Sequence, residues 1–466
     1  MTIGEVEWEG CDLFSSDDLD ELCPGLREGA EFSKKGIEDS FDGLLRCYGE
    51  LGYADCRVSP RGFTANPDAT VDLTVEIVEG PRYTIEAVAV KGGRTRGHTA
   101  GKIAGLEPGD PFDPWKLENA RARLVSSGLF SRVETLSVRK GSADSLVVVE
   151  AELDEAPCSS VSGLLGYSGR EGGAMGFVDL NLGNILGTAR SGAFRWEGSG
   201  RGLSSYEARY REPWLGGLPL ALEVGMDHVA QDTTYSTTGI SGGVRLDMGR
   251  GLSLSLGGVK ERTAVAGESE GEGVRRSRVA VRAGAEIDAR DKVFDPRRGF
   301  RVSASGDWGS RTDTHTATRE SESWRVARLN LNAEIHRRLH GRHGLYARAE
   351  WRRIATDEEV LPLDQMLRFG GASSLRGYRE DQFRAEETGL LQLEHRIYLG
   401  EGGSRLFLFS DLGILRGRSA PEGLLVGYGL GIRAAGPGGV VGLDYGLGKG
   451  DSWSEGKVHV RLTRTF

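Results

Sequence analysis

The last two thirds of the chain, from Pro157 onward, alternate apolar and polar residues in short segments, without helical periodicity. Clusters of Gly, Asn, Asp and Pro separate these segments, as turn residues separate β-strands. Sixteen such segments are present: 159–168, 172–182, 187–198, 203–213, 217–229, 234–246, 251–261, 274–288, 298–308, 322–337, 343–354, 385–397, 403–413, 422–434, 437–447 and 456–466. The pattern predicts sixteen strands, each with one apolar and one polar face.

The connections between these segments alternate in length. Those after even-numbered segments are short, whereas several after odd-numbered segments are long, at 261–274, 308–322 and 355–385. Short turns at one rim and long loops at the other are typical of an outer-membrane barrel, which needs no long apolar run. The sequence therefore predicts a transmembrane β-barrel of 16 antiparallel strands over residues 158–466, entered from the short-turn, periplasmic rim.

The first third of the chain contains an internal repeat. Residues 25–58 parallel residues 105–138, with glycine, phenylalanine and leucine at matching positions. In each copy a strand, a short helix and an amphipathic helix precede two further strands. This order predicts two small α+β (β-α-α-β-β) domains, at residues 1–80 and 81–157.

Charge and cysteine content limit the possible partners. The net charge of −9 argues against nucleic acid or an anionic membrane surface. The cysteines are Cys11, Cys23, Cys47, Cys56 and Cys158. No Cys-x-x-Cys pair indicates a zinc site, and both free core thiols and one or two disulfides fit, with three pairings open for the first four. The first ten residues lack the regions of a signal peptide, which fits a mature, a truncated or a cytoplasmic chain.

Several short sequences in the barrel region resemble motifs of the BamA/TamA superfamily of outer-membrane proteins, a bacterial surface antigen family. They are LRGY at 375–378, NLGNILGTARSG after the second strand, EPWLGGLPL at the second periplasmic turn, DARDKVFDPRRGF at 288–300, LFLFSDLG at 406–413 and the terminal Phe466. In the turn at 288–300 the motif residues are Asp291, Pro296 and Gly299. The resemblance implies tandem POTRA domains in the periplasm and a sixteen-stranded barrel in the bacterial outer membrane.

The resemblance further implies that loop 355–385 folds into the barrel lumen and is held there by its tip, Arg376 with Gly377 and Tyr378. Strand parity places two carboxylates on the inner wall, Asp411 and Glu394, where a guanidinium can bind them bidentately. A stripe of small residues on the fourteenth strand, at 427, 429 and 431, would leave room for the loop backbone. The alternative is an exposed loop arginine among scattered lumen charges.

The function implied by the resemblance is that of an insertase or assembly factor for outer-membrane β-barrel proteins. Its POTRA domains would receive unfolded polypeptides, and a lateral seam between the first and last strands would insert them, because exposed strand edges template pairing. The seam residues are Val161, Leu164, Val458, Val460, Leu462 and Phe466. The alternative is a two-partner secretion-type pore, whereas a passive porin explains neither the modules nor the buried loop.

No catalytic residue, metal site or cofactor is expected. Residues 239–243 read Gly-x-Ser-x-Gly, but they lie in an alternating strand without the strained elbow of a hydrolase. The expected partners are unfolded outer-membrane proteins and the lipid bilayer, with periplasmic chaperones or accessory assembly proteins as further candidates.

Overall fold

The structure, a computed structural model, describes residues 1–168, 173–199, 202–249, 251–267, 272–292, 295–372, 374–400, 403–417, 423–436 and 439–465. The chain divides into two units. The first comprises Met1–Ala156 with Leu186–Thr188, and the second comprises Pro157–Ile185 with Ala189–Phe466. Two three-stranded sheets form in the first unit and a closed barrel in the second.

The first module contains β1 (Thr2–Glu9), α1 (Ser16–Leu22), α2 (Lys34–Glu50), β2 (Arg57–Ala65) and β3 (Thr70–Val78). Strand β3 lies in the middle of the sheet, parallel to β1 and antiparallel to β2. The Ser15 and Ser33 hydroxyls accept hydrogen bonds from backbone N–H groups of the first helical turns and so cap α1 and α2. Leu44 and Tyr48 of α2 pack in the core with apolar residues of β3.

The second module repeats this order with β4 (Thr84–Lys91), α3 (Gly97–Ala104), α4 (Pro114–Ser126), β5 (Phe130–Lys140) and β6 (Leu146–Glu155). Its sheet order is β4-β6-β5, again with the last strand in the middle. Asp113 caps α4, and Pro114 occupies the first helical position, where a missing N–H costs nothing. The predicted β-α-α-β-β order is confirmed in both modules.

A polar network lies beside the core of the first module. The Tyr48 hydroxyl donates to the Glu79 carboxylate at 2.9 Å, and the backbone N–H groups of Asp12 and Leu13 donate to the same oxygen. Burial alone would raise the pKa of Glu79, but these hydrogen bonds outweigh it and hold the pKa below its ordinary value.

None of the five cysteines forms a disulfide in the structure, so none of the pairings that the sequence leaves open is present. Burial raises the pKa of Cys23 to about 12, as expected of a core thiol with little reactivity. Among the described residues, no helix is both long and apolar enough to cross a membrane.

The barrel strands are β7 (Ser160–Ser168), β8 (Gly173–Ile185), β9 (Arg190–Ser199), β10 (Leu203–Glu212), β11 (Leu220–Gln231), β12 (Tyr235–Gly249), β13 (Leu252–Ala266), β14 (Gly273–Asp288), β15 (Gly299–His315), β16 (Ser321–Arg338), β17 (His343–Thr356), β20 (Glu387–Tyr398), β21 (Arg405–Arg416), β22 (Gly423–Gly436), β23 (Gly439–Gly448) and β24 (Lys457–Thr465). Each pairs antiparallel with its neighbours, and β24 pairs with β7 to close the barrel. Two short strands, β18 (Leu367–Phe369) and β19 (Phe383–Ala385), pair within the connection between β17 and β20. The predicted sixteen-stranded barrel is confirmed.

The outer face of the barrel is apolar and the inner face polar. On β22, Leu424 and Leu430 are 58% and 50% exposed, whereas the inward Asp444 on β23 is 7% exposed. In a closed sheet the backbone polar groups are paired with neighbouring strands, so the outer face can lie in lipid. An exposed apolar band of this kind is the face that lipid covers.

The strands at 252–315 are longer than predicted. Strand β13 extends to Ala266 and β15 to His315, so residues 316–320, rather than a long loop at 308–322, connect β15 to β16. Thr312 and Thr314 lie opposite Ser323 and Ser321 in this region. Where a strand projects beyond lipid, its outer face carries polar residues too, so the apolar–polar alternation in the sequence ends before the strand does.

Candidate functional site

Residues 357–386 connect β17 to β20 and bring Arg376 against the inner wall of the barrel. The Arg376 side chain is 4% exposed. Its Nε and Nη2 atoms donate to Asp411 at 2.9 and 2.7 Å, and Nη1 donates to Glu394 at 2.6 Å. The Phe409 ring centroid lies 3.8 Å from the guanidinium carbon. Two carboxylates on neighbouring strands and one aromatic face therefore compensate for the lost hydration of this cation.

The two carboxylates differ in their remaining partners. Asp411 is fully buried and also accepts from the Arg376 backbone N–H at 3.1 Å and from the Gln392 amide at 3.3 Å. Glu394 is shared with a second cation, because Arg396 donates to it at 2.8 Å. Asp411 consequently depends on Arg376 for its charge compensation, whereas Glu394 retains Arg396.

Glycines let the loop backbone lie directly on the wall. Gly377 has φ +91°, and a Cβ at this position would lie 2.5 Å from the Leu447 carbonyl. A Cβ at Gly427 would lie 2.0 Å from the Arg376 carbonyl oxygen. Of the predicted stripe, only Gly427 meets the loop, since Gly429 and Gly431 make room for phenylalanine rings instead.

Tyr378 completes the tip of the loop. Its hydroxyl donates to the Val426 carbonyl at 3.2 Å, and its ring packs edge-on against Phe383 at 5.5 Å. The residue after the motif glycine thus ties the loop to β22, one strand beyond the Asp411 strand.

A second set of contacts, which the sequence did not reveal, holds the base of the loop on another part of the wall. Arg276 of β14 donates to Asp364 at 2.8 Å, and Arg311 of β15 donates to Glu358 at 2.6 Å. Arg311 is 1% exposed and Glu358 is partly buried, so this second contact also lies largely away from solvent. The loop is therefore fastened to β14–β15 at its base and to β20–β22 at its tip.

The turn between β14 and β15 carries the predicted periplasmic motif. The Asp291 carboxylate accepts from the backbone N–H groups of Arg297 and Arg298 at 3.0 and 3.2 Å. Gly299 has φ +100°, which glycine adopts without strain. Pro296 lies between Asp291 and Gly299 in the sequence. Asp291 and Gly299 thus shape one turn, and Pro296 lies within it.

The seam between the last and first barrel strands is paired over part of its length. The register joins Leu462, Thr463, Arg464 and Thr465 of β24 to Gly163, Ser162, Val161 and Ser160 of β7. Among the described residues, no pair joins 457–461 of β24 to β7. Since β24 follows the extracellular connection 449–456, the unpaired half of the seam lies toward the cell exterior.

The predicted seam residues fall on both sides of this boundary. Val161 and Leu462 lie in the paired half, and Val458 and Val460 lie in the unpaired half. The side chains of all four residues are exposed. The backbone of Leu164 pairs with Phe177 of β8, but its side chain lies outside the description. Phe466 lies outside the described residues.

The geometry defines the class of protein: a closed sixteen-stranded barrel with a loop fixed in its lumen, preceded by two β-α-α-β-β modules, is an outer-membrane β-barrel with periplasmic POTRA domains. Two family models match the sequence. The POTRA model, described as a surface antigen variable number repeat, matches residues 1–80, and the Omp85 superfamily domain matches residues 184–466. The chain therefore belongs to the Omp85 superfamily, whose members work with unfolded substrates and the lipid bilayer.

Solved structures share this fold. BamA from Haemophilus ducreyi lacking POTRA domains 1–3 is 14% identical with a TM-score of 0.56, over 100% of both chains. CdiB from Escherichia coli is 17% identical with a TM-score of 0.62, over 100% of this chain and 90% of that one. CdiB from Acinetobacter baumannii is 13% identical with a TM-score of 0.59, over 99% and 90%. No curated protein matches the sequence.

Proposed function

We propose that this protein inserts unfolded β-barrel proteins into the outer membrane at the seam between β24 and β7. The observation that carries the proposal is the half-paired seam: the register ends at Leu462 and Gly163, while the β21–β22 register runs from Arg405 to Leu415. Unpaired backbone N–H and C=O groups on a strand edge form a template for an incoming strand. A new strand can therefore pair there without first breaking a complete ladder.

Strand length supports the same site. Strands β7 and β24 have 9 residues each, whereas β15 and β16 have 17 and 18. A spanning strand needs about 9–11 residues, so the seam strands are at the lower limit. A wall shorter than the hydrocarbon thickness is accommodated by local thinning of the bilayer, which lowers the barrier to insertion. Over the described residues the two seam strands are the shortest of the barrel, so thinning would begin at the seam.

The POTRA domains would receive the substrate. In the first module β2 is an outer strand of the sheet, and its side chains are largely exposed. Strand β5 has the corresponding outer position in the second module. Either edge can accept an extended polypeptide by backbone pairing, which is tolerant of sequence. This role needs no covalent chemistry, so we assign the protein no enzymatic activity.

A disulfide across the seam tests the proposal. In a background with the five native cysteines replaced by serine, cysteines are introduced as Val161→Cys with Arg464→Cys, or as Ser162→Cys with Thr463→Cys. Both pairs are opposite in the register, and directly opposite residues in antiparallel strands lie about 4.5–5.5 Å apart, within disulfide range. Oxidation should stop assembly of a barrel substrate, and reduction should restore it.

The matched control is a disulfide within a hairpin that does not open in the proposed mechanism. Ala208 and Met226 are opposite in the β10–β11 register, so Ala208→Cys with Met226→Cys should crosslink without loss of activity. Full activity with an oxidised seam would contradict lateral insertion.

A two-partner secretion-type pore is the second candidate, and one observation favours it. A cavity of about 380 Å³ lies between the loop and the wall of β9–β11, lined by charged residues that include Arg195, Asp227, Arg368 and Asp381. Export through the lumen would bring a polypeptide past this polar lining beside the loop. Export that continues with the seam locked would favour this function.

A further inference from the structure

The outward face of β16 is bounded by an arginine at each end. Its outward positions from Ala327 to Ile335 are apolar, with Leu331 48% and Ile335 51% exposed. These eight steps span about 27 Å at about 3.4 Å per residue, which matches the ~25 Å apolar band of outer-membrane barrels. Arg325 at the extracellular end and Arg337 at the periplasmic end therefore lie at the two edges of the lipid band.

The two arginines differ in their partners. The Nε atom of Arg325 donates to Asp357 at 3.1 Å, so its charge is paired. Arg337 has no ion pair with any residue in the described parts of the chain. The charge at the periplasmic edge is thus left for a group outside the protein.

A second unpaired arginine lies beside it. Gly299 pairs with His336 at the periplasmic end of the β15–β16 register, and Arg298 and Arg337 are the chain neighbours of that pair. The side chain of Arg298 is exposed and likewise forms no ion pair among the described residues. Two like charges that flank one strand pair repel each other, so an anion bound by both guanidinium groups would replace this repulsion with attraction.

Two histidines extend this cationic site along the rim. In the register, Arg337 lies opposite Leu345, which lies opposite His395. The His343 Nδ1 and His395 Nε2 atoms are 3.1 Å apart, and the two rings are stacked with centroids at 5.2 Å. Each ring retains one further nitrogen that can donate to an oxygen when it carries the proton.

We propose that Arg298 and Arg337, flanked by the His343–His395 pair, bind the phosphate of an anionic phospholipid in the periplasmic leaflet. Planar guanidinium groups match phosphate oxygens bidentately, and the apolar residues directly above provide a surface for the acyl chains. The net charge of −9 does not oppose this site. Residues 1–80 carry 19 Asp and Glu against 6 Lys and Arg, whereas residues 158–466 carry 42 Lys and Arg against 38 Asp and Glu.

The test uses the full chain, purified in a neutral detergent, and native mass spectrometry to measure lipid retention. The probes are phosphatidylglycerol, which carries a net charge, phosphatidylcholine, which does not, and inorganic phosphate as a competitor. We expect preferential retention of phosphatidylglycerol. Arg337→Gln or Arg298→Gln should lower its affinity about fivefold, and the double variant about thirtyfold, because each basic residue near an anionic lipid contributes a similar increment.

Arg325→Gln is the matched control, since it removes an arginine from the other edge of the same strand face. It should leave phosphatidylglycerol retention unchanged, and heat-modifiable migration of each variant reports that the barrel is folded. Unchanged retention by the folded double variant, or equal retention of the two lipids, would overturn the proposal. Complete displacement by inorganic phosphate would also overturn it, because the site would then bind free phosphate rather than a lipid.

Discussion

Replacing Arg376 should release the tip of the luminal loop without unfolding the barrel. Arg376→Ala removes three side-chain hydrogen bonds to Asp411 and Glu394 and the contact with Phe409. Breaking a buried ion pair by removing one partner costs about 3–5 kcal/mol, mainly because the other charge is left uncompensated. Here Glu394 keeps Arg396, and Asp411 keeps two neutral donors, so we expect a value near the lower end, about 3 kcal/mol.

A cost of about 3 kcal/mol shifts the equilibrium between docked and undocked tip by about 150-fold. The base of the loop remains fastened through Arg276 and Arg311, so the released segment should be confined to the region around 367–385. Arg376→Lys keeps the charge but loses the planar fork that reaches both carboxylates, and should be defective as well. Arg376→Met combined with Asp411→Asn removes both charges and should recover part of the docking.

Limited proteolysis of the folded protein in detergent, together with an activity assay, measures this release. Arg376→Ala should expose new cleavage sites in 367–385 and lower activity, while the barrel core stays resistant. Arg379→Ala is the matched control, because Arg379 is an exposed arginine of the same loop. If Arg376→Ala leaves both protease resistance and activity unchanged, the ion pairs do not hold the loop and the reasoning fails.

Three further outcomes are expected. The protein should migrate faster on gels before heating than after it, and a chain that stays in solution without detergent would contradict the barrel in lipid. Asp364→Asn should free the loop base at Arg276, with new cleavage N-terminal to β18 and an intact tip. Glu79→Gln should destabilise the first POTRA domain by about 1 kcal/mol at neutral pH. Folding lowers the pKa of Glu79, so the ionised carboxylate stabilises the domain above the ordinary pKa of glutamate. This stabilisation is lost as the pH falls through the pKa that Glu79 has in the folded domain. Hydrogen exchange in β3 should therefore lose its acid sensitivity in the Glu79→Gln variant.

Strand alternation made most of the barrel predictable. One face of every spanning strand must be apolar to contact lipid, so every second residue of such a strand is apolar in the sequence. The same reasoning fails at the ends of β13 and β15, where the outer face becomes polar as well and the sequence no longer alternates apolar with polar residues. Parity also placed Asp411 and Glu394 on the inner wall, because a side chain's face in a strand depends only on whether its position is odd or even.

The base of the loop was not predictable in this way. Glu358 and Asp364 lie in irregular backbone, and their partners Arg276 and Arg311 are more than 40 residues away on other strands. Nothing local distinguishes these acids from other exposed loop charges, and no period relates them. The pairing at the seam could not be predicted from the sequence either. The register of β24 with β7 depends on the closure of the whole barrel rather than on either strand alone.

The fate of a barrel substrate in reconstituted vesicles tests the proposed function most directly. Purified protein is incorporated into lipid vesicles with its POTRA domains outward, and an unfolded outer-membrane protein is added. The seam proposal predicts faster appearance of folded, heat-modifiable substrate in the membrane than in empty vesicles. Oxidation of the Val161→Cys and Arg464→Cys pair should abolish that gain, and a reductant should restore it. Substrate recovered as a soluble polypeptide inside the vesicles, with the seam oxidised, would contradict lateral insertion.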